Sequence, residues 1–253
     1  MRFAFKIAYD GFYYHGYARQ PSLKTIEGEF TEFLIINNLI ESLIKSQFRV
    51  SSRTDKQVSS LGNVISFYTK SNPKDIIKIV NTSLTNIFVY GYKEVDDDFN
   101  PRHAKWRSYR YYIKDNDLDI DLLLDCASHF TGAHNFQNFA RIEPHRNPVR
   151  TIDNLIIEQK QEVVIIDIFA QTFLWHQIRR IIAAMIKVAK DEITTDAVLD
   201  SLKNPDSKVD YGLAPAHPLI LTNVQYGFDF NFCKDYQKML EEIENKVASR
   251  VLN

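Results

Sequence analysis

Apolar periodicity along the first hundred residues runs strand, helix, strand, strand, helix, strand, and few folds accept that order. Residues 2–9 (RFAFKIAY) read as a strand. From Thr25, the stretch TIEGEFTEFLIINNLIESLIK places Ile26, Phe30, Phe33 and Leu34 at helical spacing behind a threonine suited to a helix start. Strands follow at about 47–52 and 63–69. SNPKDIIKIVNTSLT then carries Ile76, Ile77, Val80 and Leu84 on one stripe behind a serine and a proline, and residues 86–95 return to strand. This is the split β-α-β order of a ferredoxin-like unit, with helices covering one face of an antiparallel sheet.

The second half nearly repeats it. A strand over 108–115 precedes a helix near 119–129, an irregular basic segment, strands near 150–159 and 162–171, helices near 173–190 and 194–203, and a last strand near 219–226. The expected fold is therefore α+β: two ferredoxin-like modules whose antiparallel sheets lie side by side and form a central RNA-binding cleft. The division is drawn at residue 100, with the N-terminal module over 1–100 and the C-terminal module over 101–253. The repeat lies in element order alone, since the two halves share no residue-level repeat.

Composition narrows the chemistry. Two cysteines, Cys126 and Cys233, lie far apart without paired-thiol spacing, and the seven histidines show no short ligand spacing, so neither a disulfide framework nor a metal site is expected. No apolar run approaches the length of a membrane span, and the alternating N-terminus lacks the apolar stretch of a signal peptide; a cytoplasmic protein is expected. Formal net charge is −1, but acidic residues gather at 94–99, 115–125 and 239–244, leaving basic ones concentrated in 101–110, 141–150 and 179–180. That distribution leaves room for a positive face despite the neutral sum.

Chemistry-bearing residues fall in a few fragments. SSRTDKQVSS (51–60) joins two strands and sets Arg53 two residues from Asp55. Turn chemistry accounts for Ser51, Ser52, Thr54 and Asp55 by itself. The alternative is a functional carboxylate. FLWHQIRR (173–180) bears on that choice, because Ile178, Ile181, Ile182 and Met185 commit the helix to a core while Arg179 and Arg180 interrupt it. Such guanidinium groups either reach solvent or meet an acid. RSYRYYI (107–113), flanked by Arg102 and Lys105, mixes arginine and tyrosine as base stacking and phosphate contact require, and ARIEPHRNPVR (140–150) adds Arg141, His145, Arg146 and Arg150. These patterns fit an RNA enzyme, an RNA-binding module without catalysis, or a duplicated structural domain. A carboxylate hydrolase would want a second acid near Asp55, and residues 46–70 hold none.

Six fragments, in order along the whole chain, resemble the TruA family of tRNA pseudouridine synthases. They are YDGFYYHGYARQPSLKTIEGEF (9–30), SSRTDKQVSS, RSYRYYI, FTGAHNFQNFAR (130–141), FLWHQIRR and GLAPAHPLIL (212–221). The Arg-Thr-Asp triplet is intact. Ser52 stands where the family usually has glycine, Tyr17 where tryptophan is common and Arg180 where asparagine is frequent. Lys56, Gln57, Val58 and Ser59 give the loop a form closer to archaeal relatives.

The resemblance implies that Asp55 is the nucleophilic aspartate, Arg53 the arginine that enters the space left by a flipped base, and Tyr109 the catalytic tyrosine that stacks on the uracil and helps remove the C5 proton. By position, Arg179 is the cation that keeps the carboxylate ionised. Arg102, Arg107, Arg141, His145 and Arg146 are the remaining expected substrate contacts. The implied substrate is the anticodon stem-loop of tRNA, at positions 38 to 40, acted on by a homodimer. No metal, cofactor or nucleotide is implied, because the product is an isomer of the substrate.

Overall fold

The structure, a computed structural model, describes residues 1–115 and 117–252. Its elements run β1 (Arg2–Tyr9), α1 (Ile26–Ile36), β2 (Arg49–Val50), β3 (Ser59–Tyr68), α2 (Pro73–Ser83), β4 (Ile87–Glu94), β5 (Trp106–Lys114), α3 (Ile120–Ser128), β6 (Gly132–Asn135) and β7 (Val149–Ile152). They continue as β8 (Asn154–Lys160), β9 (Val163–Ala170), α4 (Gln177–Ala189), α5 (Thr195–Lys203), β10 (Leu219–Gln225), β11 (Asn231–Phe232) and α6 (Tyr236–Leu252). The class is mixed α/β. Two compact units divide the chain: Met1–Lys105 with Ile220–Arg250, and Trp106–Leu219 with the last residues from Val251. Among the described residues no helix is long and apolar enough to cross a membrane.

In the first unit β1 lies between β3 and β4, antiparallel to both, and β11 extends the β4 edge. The other edge of β3 is shared: β2 pairs antiparallel at Ile65 and Ser66, whereas β10 pairs parallel at Ser59 and Ser60. Phe3, Phe5, Ile7 and Tyr9 of β1 pack with Phe30 and Leu34 of α1, Ile65 and Phe67 of β3, and Ile76 and Val80 of α2. α1 is capped by the Thr25 hydroxyl, which accepts the Gly28 N–H at 3.2 Å. The apolar pattern that continues past Ile36 is not helical, because Asn37 folds its amide back onto the Phe33 carbonyl and Asn38 takes a left-handed φ of 56°. α2 is capped by Asn72, with Pro73 in its first turn.

The expected division at residue 100 differs from the observed one in the C-terminal part, and the reason is hydrogen bonding and charge. β10 bonds to β3, and Arg250 of α6 pairs with Asp10, so Ile220–Arg250 belongs with the N-terminal unit. This segment also covers the β1 face opposite the helices. Lys6 on that face donates to the Val224 carbonyl and the Asn223 side chain, while Tyr90 of β4 stacks on Phe232 and Tyr236. All eight residues of β1 are buried, so along this strand that face is a second core rather than an open floor.

In the second unit β9 lies between β5 and β8, antiparallel to both, and β6 and β7 form a separate hairpin. α4 buries Ile178, Ile181, Ile182 and Met185, α3 buries Leu123 and Cys126, and α5 buries Val198 and Leu202. α4 starts at Gln177 rather than 173. His176 before it holds φ 63°, and the Leu174 N–H is taken by the Gln177 side chain at 2.8 Å, which stops the helix from reaching back. Both cysteines are free, and burial pushes the Cys126 thiol up to about 12, leaving it inert at neutral pH.

Candidate active site

Asp55 stands in the connection between β2 and β3, half-buried, at the head of a four-residue turn closed by the Val58 N–H on the Asp55 carbonyl at 3.2 Å. Gln57 takes a φ of 68° in that turn. A second segment, Asp10–Tyr17, binds the loop on both sides of the aspartate. Tyr17 N–H donates to the Thr54 carbonyl at 3.0 Å, Gln57 N–H donates to the Tyr14 carbonyl at 3.2 Å, and Gly11 N–H donates to the Ser59 hydroxyl at 3.0 Å. These contacts need a close approach of two backbones. A Cβ on Gly11 would lie 2.0 Å from the Val58 carbonyl oxygen, and one on Gly16, itself at φ +96°, would lie 3.2 Å from the Thr54 carbonyl oxygen and the Lys56 nitrogen.

Beneath the loop lies a buried polar network. The Tyr9 hydroxyl pairs with the Thr54 hydroxyl at 2.9 Å. The Asn63 amide donates to the Tyr9 hydroxyl at 3.2 Å and to the Ser52 carbonyl at 2.9 Å, and its carbonyl oxygen accepts from Ser51 at 2.9 Å. Satisfied networks of this kind rigidify what they hold, because each lost partner would leave a buried polar group unpaired. Ser52 and Tyr17, two of the departures seen in the sequence, both sit in this support: Ser52 through its carbonyl and Tyr17 through its N–H, with its ring 6.0 Å from that of Tyr9. The chemistry-bearing side chains are left outside. Arg53 and Lys56 are exposed on either side of Asp55.

The second unit gives its arginines varied surroundings. Arg179 is half-buried on the first turn of α4, and its Nε donates to the Ala214 carbonyl at 2.8 Å, which fixes the guanidinium plane. Arg180 instead pairs with Asp210 at 2.7 Å, and the Gly212 N–H, helped by this arginine, holds that carboxyl below the usual range. Tyr109 on β5 packs edge-on against Phe173, ring centroids 5.3 Å apart. Arg107, expected among the substrate contacts, is buried and donates to the Gln171 carbonyl, while Arg110 forks onto Asp167 with both contacts at 2.8 Å.

Arg102, Arg141, His145 and Arg146 are exposed. Arg141 lies over the exposed indole of Trp175 at 4.1 Å, and its N–H donates to the Trp175 carbonyl, tying the basic loop to the approach to α4. Sequence reasoning missed Tyr9 and Asn63. Their role depends on meeting Thr54 and Ser52 across the sheet, and neither residue type nor local spacing signals that.

A family model described as tRNA pseudouridine synthase matches residues 126–227. The chain is 41% identical to a tRNA pseudouridine synthase A of Thermococcus sibiricus over 229 residues, covering 89% of this chain and 85% of the relative. It is 34% identical to the protein of that name from Pyrococcus abyssi over an aligned 257 residues, covering 100% of this chain and 95% of the relative. A likeness to the solved archaeal box H/ACA sRNP Nop10–Cbf5 complex, at 12% identity and a TM-score of 0.36 over 84% of this chain and 60% of that one, is too slight to bear on fold or function.

Proposed function

This chain belongs to the TruA family of tRNA pseudouridine synthases, and from that premise we propose that it isomerises uridines at positions 38 to 40 of the tRNA anticodon stem-loop, with Asp55 as nucleophile. The reaction breaks the C1′–N1 bond, turns the uracil while it stays bound and joins C1′ to C5. The C5 proton leaves and N1 gains one, so atoms and electrons balance without an oxidant or a consumed cofactor. Pairing and stacking must be broken first, at a cost of a few kcal/mol, before a uridine in a stem reaches any carboxylate.

The observation that carries this reading is the seating of Asp55. A half-buried carboxylate stands in an intact Arg-Thr-Asp triplet, on a loop whose two flanks are stitched to Asp10–Tyr17 and whose underside is a satisfied polar network. A nucleophile held this way needs little reorganisation at the moment of attack. In this reading Arg179 is the cation that keeps the carboxylate ionised, Arg53 occupies the stack after the base leaves, and Tyr109 covers the uracil. Arg102, Arg141, His145 and Arg146 contact the RNA backbone. Buried Arg107 serves there through the strand it anchors rather than through direct contact.

The same reading makes each unit one ferredoxin-like module. It is supported by the order β4-β1-β3-β2 within the first unit and by the antiparallel β5, β9 and β8 of the second. Two copies of the chain act together in the cytoplasm, as the resemblance implies. The test is pseudouridine mapping on unmodified tRNA with no nucleotide added, comparing the native protein with Asp55→Asn. Native protein is expected to modify the anticodon stem-loop. The variant is expected to bind tRNA equally well and form no product; turnover by Asp55→Asn in a clean preparation removes the nucleophile assignment.

A further inference from the structure

Asp10 is a nearly dry carboxylate, 2% exposed, and it is held by a residue 240 positions away. Arg250, near the end of α6, donates to both its oxygens: Nη1 to Oδ1 at 2.8 Å and Nη2 to Oδ2 at 2.6 Å. The same guanidinium lies 4.3 Å from the centre of the Phe12 ring and 5.7 Å from that of Tyr13. The Phe12 N–H gives Asp10 a further bond at 3.1 Å, and the Asp10 N–H is taken by the Asn86 carbonyl at 3.0 Å. The 3₁₀ turn Gly11–Tyr13 is thus gripped from both ends of the chain.

That turn is the one pressed against the Asp55 loop. Gly11 touches Val58 and Ser59, and Tyr14, just past the turn, accepts from Gln57. A path of direct contacts therefore leads from Arg250 to Asp10, to the Gly11–Tyr14 backbone, and to the residues immediately after Asp55. Anchoring a helix end does not by itself call for this pair. α6 already buries Ile243 and Val247, and a desolvated ion pair returns little net stability over an apolar contact. What a two-pronged arginine supplies beyond an apolar contact is orientation.

We propose that Arg250 is a positioning residue for the isomerase reaction: through its fork on Asp10 it sets the turn against which the Asp55 loop is seated. The inference rests on Asp55 as nucleophile. It assigns α6, which makes no part of the loop itself, a share in the rate of the chemical step and none in holding tRNA.

The test measures kcat, KM and tRNA affinity for native protein, Arg250→Lys and Arg250→Ala, with Asp55→Asn as control. Lysine keeps the charge and loses the fork; alanine loses both. The expected order of kcat is native above Arg250→Lys above Arg250→Ala, the last lower by about tenfold or more, with KM and tRNA affinity within about threefold throughout. Unchanged kcat with only a lower melting temperature would reduce Arg250 to an anchor of α6 and overturn the proposal. A loss confined to KM would overturn it as well, by making Arg250 an RNA contact. Should Arg250→Ala fail to fold, Arg250→Lys decides alone: a kcat equal to native defeats the proposal, and a lower kcat at unchanged KM supports it. Turnover by Asp55→Asn would instead remove the underlying reading, whatever the Arg250 variants do.

Discussion

The loop that carries Asp55 and the strand-and-helix surface that carries the arginines of the second unit solve opposite problems. The backbone of the Asp55 loop is held by neutral groups: main-chain amides, four hydroxyls and one asparagine, with two glycines letting the backbones close and the charged Asp10–Arg250 pair one step behind them. In the second unit, position is set by charge. Arg110 is forked onto Asp167, Arg180 is paired with Asp210, and Arg107 and Arg179 each hold a carbonyl. Neutral support fixes a loop without using its charged side chains, whereas a guanidinium committed to a carboxylate has already spent its fork. The lesson is that an arginine count does not measure an RNA surface.

The largest effect is expected where the neutral support is tightest. Gly11→Ala would put a methyl group 2.0 Å from a main-chain oxygen, and both partners are backbone, so the turn and the loop must move apart. A displacement of that kind next to the proposed nucleophile, Asp55, is expected to lower kcat by about a hundredfold. Unfolding midpoints by circular dichroism would separate this from global loss. A variant with native kcat would show that the loop tolerates loose seating, and the contrast with the second unit would lose its functional meaning.

The same contrast explains what was legible in the sequence. In the first hundred residues the helices were legible from an apolar stripe, and β1 and β3 from short runs bounded by turn residues, since both strands are buried on both faces. Periodicity failed where a single residue overrides the pattern. Asn37 and Asn38 end α1 while the apolar spacing continues, and His176 in a left-handed conformation delays α4 to Gln177. The acidic run at 239–244 drew attention as charge rather than as part of α6, whose apolar side is only Ile243 and Val247. Nothing local announces that Ile220–Arg250 returns to the first unit, since that rests on pairing between residues some 160 positions apart, Ser60 with Leu221. Asp55 stands out in the sequence as a candidate because its triplet is contiguous. Its support does not, because Tyr9, Thr54 and Asn63 come from three separate segments.

A second experiment sharpens the difference between arginines that hold the fold and arginines that face solvent. Arg146→Glu, on the exposed basic loop, is expected to weaken tRNA binding by roughly tenfold at low salt and to flatten its salt dependence, as loss of a phosphate contact does. Arg110→Met should leave binding unchanged and cost about 1 kcal/mol of stability, since its pair with Asp167 is still partly solvated. Filter binding across salt concentrations, alongside urea unfolding, reads both. If Arg110→Met weakened tRNA binding as much as Arg146→Glu, the division of labour among these arginines would be wrong.

The last expected effect concerns Lys6, buried in the first unit, and it carries into the alkaline range the same sign of pH dependence that a paired carboxylate gives in acid. Lys6 is 4% exposed and surrounded by the carbonyls of Gly62 and Val224, the Asn223 side chain and, at 5.4 Å, the Phe230 ring. Burial pushes its ammonium down to about 7, because neutral acceptors replace only part of its lost hydration. In the unfolded chain the same group keeps its proton to beyond pH 10. Between those limits the unfolded state holds more protons than the folded one, so stability must rise with pH through this window, and below about pH 7 the burial penalty is present in full. Asp10 gives the same sign in a lower window: burial pulls its pKa up but the Arg250 fork lowers it overall, so its favourable contribution is lost as pH falls through the acid range, whereas Lys6 carries a penalty that is relieved as pH rises. Urea unfolding at pH 7 and pH 8.5 should therefore show the native protein gaining about 1.5 kcal/mol, and Lys6→Met, which cannot titrate, gaining nothing from this source. Equal gains in the two proteins would mean that the carbonyl cage carries the charge without penalty, and that neutral groups in this unit can hold a full cation as securely as Asp167 holds Arg110.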